Sequence, residues 1–408
     1  MTRVTRLAVV ALTAIVAAAC SPATQAPPPS SSGGPAPSTQ KATQMAAHGV
    51  EAKLGEIPWA QVGPGWLLAI WSPVTGKSTG QTPGPGEPTR ETSTTSLYLV
   101  NPAGGRYAIA TFPPPGEQAA PDLVDWSGDG SHALFFTRSE RPTATMIDLH
   151  TGTQTTIDVK DEPRYTKPEG KALLISTSRS GDNPGTLERV DLTGKSQLMY
   201  PTDKLPGMFT GQYLMTPDGK QLVLGTTAGL VMMGNDGAAG AKLPVPNESD
   251  CSPLRWWDGN AGTTLLARCN DSQYVSRLWL VPIGGAAPSP LTAPNKGENS
   301  PDLADLNAWK LSAGTFVQAA GGCGFVYLAK LNPDGTTSQV AVPDVDNHKS
   351  VSVVGVDGGN LDLRASAACG GGQLVVNYDP AANKSTVLLG EPLNGGGVGS
   401  VLPYPGQG

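Results

Sequence analysis

Only four histidines occur among the 408 residues, which leaves little material for a histidine-rich metal site. The net charge is −6 and no basic stripe is present, which argues against nucleic acid as a partner. No long amphipathic helical pattern stands out after residue 60. No Gly-x-Ser-x-Gly elbow, no phosphate-binding glycine loop running into a helix and no His-Glu-x-x-His occurs. The glycine runs Gly370-Gly371-Gly372 and Gly395-Gly396-Gly397 adjoin no strand-to-helix pattern and read as loops. The sequence therefore points to no cofactor and no metal.

What is abundant is turn chemistry. Gly (51) and Pro (38) make about a fifth of the chain, below the level that signals bulk disorder. That surplus suits many turns and few helices.

The first twenty residues carry an address. Arg3 and Arg6 precede the apolar stretch Leu7 to Val16, too short to span a bilayer but right for a signal-peptide core. Ala17-Ala18-Ala19-Cys20 then resembles the lipobox of bacterial lipoproteins, with Ala17 where Leu is commonest. The resemblance implies a lipid-carrying Cys20 as mature N-terminus, with enough acyl chains for stable anchoring to the outer face of the cell membrane. Ser21 to about His48 is Pro, Ser, Thr, Ala and Gly with almost no apolar bulk. It cannot bury enough surface to fold, so it reads as a tether. Fully extended, at roughly 3 Å per residue, it reaches about 80 Å.

The folded part is a set of repeats. Tyr213 to Gly237 reads YLMTPDGKQLVLGTTAGLVMMGNDG: two hairpins end to end, bounded by Asp-Gly and Asn-Asp-Gly turns. Comparable four-strand units begin near Trp59, Leu123, Arg164, Leu254, Leu306 and Ser350. In the first, Trp59 to Val62 reads as the innermost strand, followed by Trp66 to Trp71, Leu97 to Val100 and Tyr107 to Phe112. Its Ser72 to Ser96 loop is a long Gly/Pro/Thr/Ser insertion, of the kind usually functional or mobile. A period of about 45 residues with four strands per unit marks a β-propeller. One blade cannot bury both faces of its sheet, whereas blades packed in a ring can. The expected fold is all-β: a single propeller of seven four-stranded blades, six being the alternative count. The expected organisation is a signal peptide (1–19), a lipid-anchored tether (20–53), the propeller (54–402) and a short C-terminal tail (403–408).

TPDGKQLVL and WSGDGSHALFFT, in the fourth and second units, are similar to the Trp-Ser-Pro-Asp-Gly-Lys repeat of TolB-like (WD40-like) propellers. The motif covers about 50 residues and the architecture about 350. TolB itself has an α/β domain before a six-bladed propeller; here a tether and seven units stand instead.

Cys20 aside, four cysteines remain, and four allow three pairings. Cys251 and Cys269 lie nine residues either side of Asn260, the centre of a hairpin turn, so an antiparallel pair sets them opposite each other. Cys323 and Cys369 follow the second strands of neighbouring units. The expected bonds are 251–269 and 323–369, consistent with export to an oxidising compartment. All four fall on the rim formed by the B–C turns and D–A connections, the strands of a blade being lettered A to D from the ring's axis outward.

Arg138, Arg179 and Arg268 stand at or near the ends of second strands, and Asp122 and Asp302 in D–A connections. Equivalent positions in a ring converge on one rim, so these residues form a candidate ligand rim, with the arginines facing carboxylate or phosphate groups. Trp256 and Trp257 point to opposite faces of one strand, which leaves one of them for stacking on a sugar. His132 and His150 have no carboxylate–His spacing that suggests a metal or a triad. The expected function is non-catalytic binding of an envelope protein or polymer. The alternatives are a hydrolase or lyase with its site at the channel mouth, or a structural spacer.

Overall fold

The computed structural model describes residues 44–75, 84–116, 119–294, 305–321, 325–346, 349–367 and 372–406. Among them, twenty-nine strands assemble into seven sheets arranged as the blades of one propeller. Blades 2 to 7 are each built from four consecutive strands in meander order. Their innermost strands are Asp122–Trp126, Pro163–Tyr165, Phe209–Met215, Ser249–Trp256, Asn307–Leu311 and Lys349–Asp357.

Blade 1 is assembled differently. From sequence, Trp59 to Val62 is expected as its innermost strand, but Trp59–Gln61 is a short 3-10 turn after Pro58. Trp59 instead lies against His150, a turn residue of blade 2, with ring centroids 3.9 Å apart. The innermost strand is Gly397–Pro403 from the far end of the chain. It pairs antiparallel with Leu67–Ser72, from Leu67 opposite Pro403 to Ser72 opposite Gly397. Hydrogen bonds between the two ends of the fold thus close the ring and leave no open blade edge at the seam. Glu51–Lys53 adds a fifth, parallel strand outside Arg106–Phe112.

Burial falls from the inside of each blade outward. The second strands His132–Thr137 and Ala172–Thr177 are buried on both faces, whereas the outer strands Gln154–Asp158 and Ser196–Met199 are largely exposed. This is why second strands read as continuous apolar runs and outer strands as polar ones. Leu97, Leu134, Phe135, Leu222, Leu265 and Leu361 are fully buried between blades. Each such side chain contributes roughly 2 kcal/mol of burial.

The repeated motif has a local cause. In blades 2 and 4 the A–B turn is Ser127 to Ser131 and Thr216 to Lys220. The Ser127 and Thr216 hydroxyls donate to Asp129 and Asp218 at 2.6 and 2.7 Å. Gly130 and Gly219 adopt φ of 75° and 71°, which costs a side-chain-free residue little. The two turns flank the Lys167-Pro168 turn of blade 3 so closely that a Cβ at Gly128 would lie 1.6 Å from the Pro168 carbonyl oxygen.

Candidate functional site

Strand direction divides the ring into two faces. Innermost strands run from the face of D–A connections and B–C loops to the face of A–B turns. On the first face, Cys251 and Cys269 are joined, their Cα atoms 4.1 Å apart. Ser249 pairs with Asn270 and Ser252 with Arg268, and the extra residue at Asp250 to Cys251 is absorbed by a bulge with φ of 42° at Asp250. Cys20, Cys323, Cys369 and Asp302 lie outside the described residues.

The candidate rim residues do not form one cluster. Arg138 is exposed, with its guanidinium 5.6 Å from the Phe136 ring centre, and borders a cavity at the channel. Arg179 is exposed in the B–C loop of blade 3, its backbone N–H donating to Thr210. Arg268 is already committed: it pairs with the buried Asp305 carboxylate at 2.9 Å, which also accepts from the Ser276 hydroxyl. Asp122 borders a different pocket, where blades 7, 1 and 2 meet. Trp256 and Trp257 sit at the opposite face, because the strand that starts near the disulfide ends at them. Trp256 is buried and donates from Nε1 to the Met215 carbonyl of blade 4 at 2.9 Å, which locks two blades together. Trp257 packs on the apolar cluster between blades 5 and 6.

The richest set of polar groups lies along the channel wall of blades 2 to 5. A cavity of about 560 Å³ is bordered by Asp125, Arg138, Glu162, Arg164, Lys167 and Gln212. Arg164 pairs with Glu162 at 2.5 Å. Asp125 accepts from the backbone N–H groups of Tyr165 and Trp126 at 2.7 and 2.9 Å. Burial pushes the Asp125 carboxyl up, while Lys167 and Arg164 oppose the shift. Burial likewise raises the Tyr213 phenol, whose hydroxyl reaches the Leu174 carbonyl at 3.5 Å. Lys167 also borders a second cavity of about 610 Å³ at the A–B face, beside Asp218, Arg255 and Trp256.

Arg164, Lys167 and Gln212 are absent from the sequence-derived rim. The signal for Arg164 and Gln212 was a polar residue inside an innermost strand, where every other residue packs. Arg164 shows it as an exposed position between two buried ones, and Gln212 as the one exposed position of Phe209–Met215, next to the buried Gly211.

Among the described residues one Ser–His contact is present: Ser131 Oγ lies 2.7 Å from His132 Nδ1. The same hydroxyl donates to Asp129 at 2.7 Å. The imidazole N–H is then the donor to Ser131, so the histidine does not act as a base toward that hydroxyl. Among the described residues, no three His, Cys, Asp or Glu side chains converge on a metal-sized site.

No protein-family model matches the sequence, and a search of curated proteins finds no match. Solved structures with a similar fold include TolB from Acinetobacter baumannii, at 14% identity and a TM-score of 0.44, covering 67% of this chain and 62% of that one. The β-propeller domain of the Trilobed protease from Pyrococcus furiosus is 12% identical with a TM-score of 0.48, covering 86% and 99%. An acylaminoacyl peptidase from Pyrococcus horikoshii is 10% identical with a TM-score of 0.49, covering 86% of this chain and 53% of its own. The chain thus spans less than two thirds of TolB. TolB and the propeller domains of peptidases are alike among its neighbours.

Proposed function

We propose that this chain is an exported envelope lipoprotein, held at the outer face of the cell membrane by lipid on Cys20, whose propeller binds a protein or envelope polymer without catalysis. The observation that carries the binding surface is the channel cavity of blades 2 to 5, where Arg138, Arg164 and Lys167 stand beside Glu162 and Asp125. Charged groups of both signs around an open cavity suit an extended polar partner, and such complementarity sets specificity and encounter rate.

The path of the chain supports the choice of face. Residues 46 to 49 run beside the C–D turn of blade 1: the Ala46 carbonyl accepts from Asn101 Nδ2 at 2.8 Å, and Gly49 N–H donates to Gly104 at 3.0 Å. The chain enters on the A–B and C–D side. The B–C face, with Arg138 and the disulfide, lies on the opposite side of the ring from residues 46 to 49.

The test is photocrosslinking in intact cells. A photoreactive residue at Ser178, on the B–C face, is expected to capture one defined envelope component. The same probe at Asn260, on the opposite face, is expected not to capture it. Equal capture from both faces, or none from Ser178, refutes the binding surface. Cys20→Ala is expected to move the protein out of the membrane fraction; retention there refutes the anchor.

A further inference from the structure

Four blades carry a polar residue at the same place, the fifth residue of the second strand: Ser176 in Ala172–Thr177, Arg268 in Thr264–Asn270, Gln318 in Gly314–Ala320 and Arg364 in Asn360–Ala367. Arg268 and Arg364 each oppose a serine of the innermost strand, Ser252 and Ser352. In three of the four blades the residue is satisfied by the next blade: the Ser176 hydroxyl donates to the Gly211 carbonyl, in the innermost strand of blade 4, at 2.7 Å. Arg268 pairs with Asp305, two residues before the innermost strand of blade 6. Gln318 donates from Nε2 to the Val351 carbonyl, in the innermost strand of blade 7, at 3.2 Å.

Arg364 differs. Leu361, Leu363 and Ala365 pack toward blade 6, so alternation turns Arg364 toward blade 1. The position two residues before the innermost strand of blade 1 is Gly395, which offers no carboxylate. Its neighbour Gly396 cannot carry one either: a Cβ there would lie 2.2 Å from the Ser72 carbonyl oxygen and 2.8 Å from the Trp71 ring. Arg364 has no hydrogen-bond or ion-pair partner among the described residues, and its Nε is buried and unsatisfied. Asp362, two residues away on the same face, is not within ion-pairing distance and is bound by Asn377. Burial holds the Arg364 guanidinium below its ordinary pKa, with no compensating charge. Arg364 is half-buried, and a partly desolvated guanidinium whose Nε has no partner carries a cost that a bidentate oxyanion removes.

The space for such a group exists. Arg364 borders a pocket of about 410 Å³ at the junction of blades 7, 1 and 2, together with Arg90, Ser72, Ser400 and Asp122. That volume is within the range of small-ligand sites. Two cations and one carboxylate around it favour a single oxyanion head over a polyanion.

We propose that this pocket is a binding site for a small ligand bearing one oxyanion group, a carboxylate or a phosphate, with Arg364 as its anchor. The site is separate from the channel cavity of blades 2 to 5 and does not depend on the envelope partner.

The test is thermal unfolding of the full chain titrated with inorganic phosphate and with acetate, each against sodium chloride at matched ionic strength. The expected result is a transition temperature that rises with the logarithm of anion concentration for at least one of the two. A response to phosphate alone identifies a phosphate group, and a response to acetate alone a carboxylate. Arg364→Gln is expected to weaken that response at least about tenfold, the loss of a charged hydrogen-bond donor. Arg268→Gln is expected to leave it in place. Should Arg364→Gln not fold, Arg364→Lys keeps the charge but loses the fork and is expected to weaken the response. No response beyond sodium chloride in the wild type overturns the proposal. So does a response that Arg364→Gln, or in its place Arg364→Lys, leaves unchanged.

Discussion

Replacing Asp362 by Asn converts one buried acid of blade 7 into its neutral isostere. Asp362 is 1% exposed and sits beside Gly355, whose neighbour across the blade interface is Pro403. It accepts from Asn377 Nδ2 at 2.8 Å, and Asn377 in turn accepts from Asn360. Burial pushes its carboxyl from the ordinary 3.8 up to about 6; Asn377 opposes the shift and nearby Asp357 adds to it. The folded state therefore binds this proton more tightly than the unfolded chain does. Stability from this group is present below the unfolded value and is lost as pH rises through the folded value. The full span, from a shift of about two units, is about 3 kcal/mol. Between pH 7.5 and 4.5 the same relation yields about 2 kcal/mol of added stability on acidification. Urea unfolding followed by fluorescence of the eight tryptophans measures it, since the rest of the titration cancels between wild type and Asp362→Asn. The absolute difference at pH 7.5 mixes relief of a buried charge with the cost of placing a new amide N–H2, which is about 1–3 kcal/mol if unpaired. The change with pH isolates the carboxyl. The wild type is expected to gain about 2 kcal/mol on the variant as pH falls from 7.5 to 4.5. A wild-type-minus-variant difference that stays constant to about 0.5 kcal/mol over that range refutes the assignment.

Cys251→Ala combined with Cys269→Ala opens a crosslink spanning 18 residues and is expected to cost about 3 kcal/mol in the same urea assay. Reductant should lower the wild type by a similar amount and leave the double variant unchanged. Gly128→Ala drives a methyl group into the Pro168 carbonyl and is expected to destabilise by at least about 1–3 kcal/mol, read as a fall in transition temperature. Gly284→Ala, where a Cβ meets nothing within 4 Å, is the control and should change stability by less than about 0.5 kcal/mol.

The repeat was legible because it is local. Ser127-Gly-Asp-Gly and Thr216-Pro-Asp-Gly specify a turn through one hydroxyl, one carboxylate and one positive-φ glycine, all within five residues. The 251–269 bond was legible for the same reason, since a single hairpin sets its register. The site was legible only in part. Arg268 looked like Arg138 and Arg179 in sequence, yet Asp305, 37 residues on, neutralises it across a blade boundary. Arg164 escaped notice because a three-residue innermost strand holds a single polar position and almost no periodic signal, and Lys167 because it lies in the turn beyond that strand.

From its own residues, then, the chain determines the unit: second strands apolar on both faces, outer strands polar, glycine turns between them, and a number of units close to seven. Those are short-range properties, set by turn chemistry and by which faces must leave water. The tertiary structure alone decides which strand completes blade 1, because pairing with Leu67–Ser72 is a contact between the two ends of the fold that no local pattern specifies. It alone decides which arginine is paired and which is open. That difference between Arg268 and Arg364 rests on one carboxylate present in one D–A connection and two glycines in another, and only packing shows which side chains those connections meet.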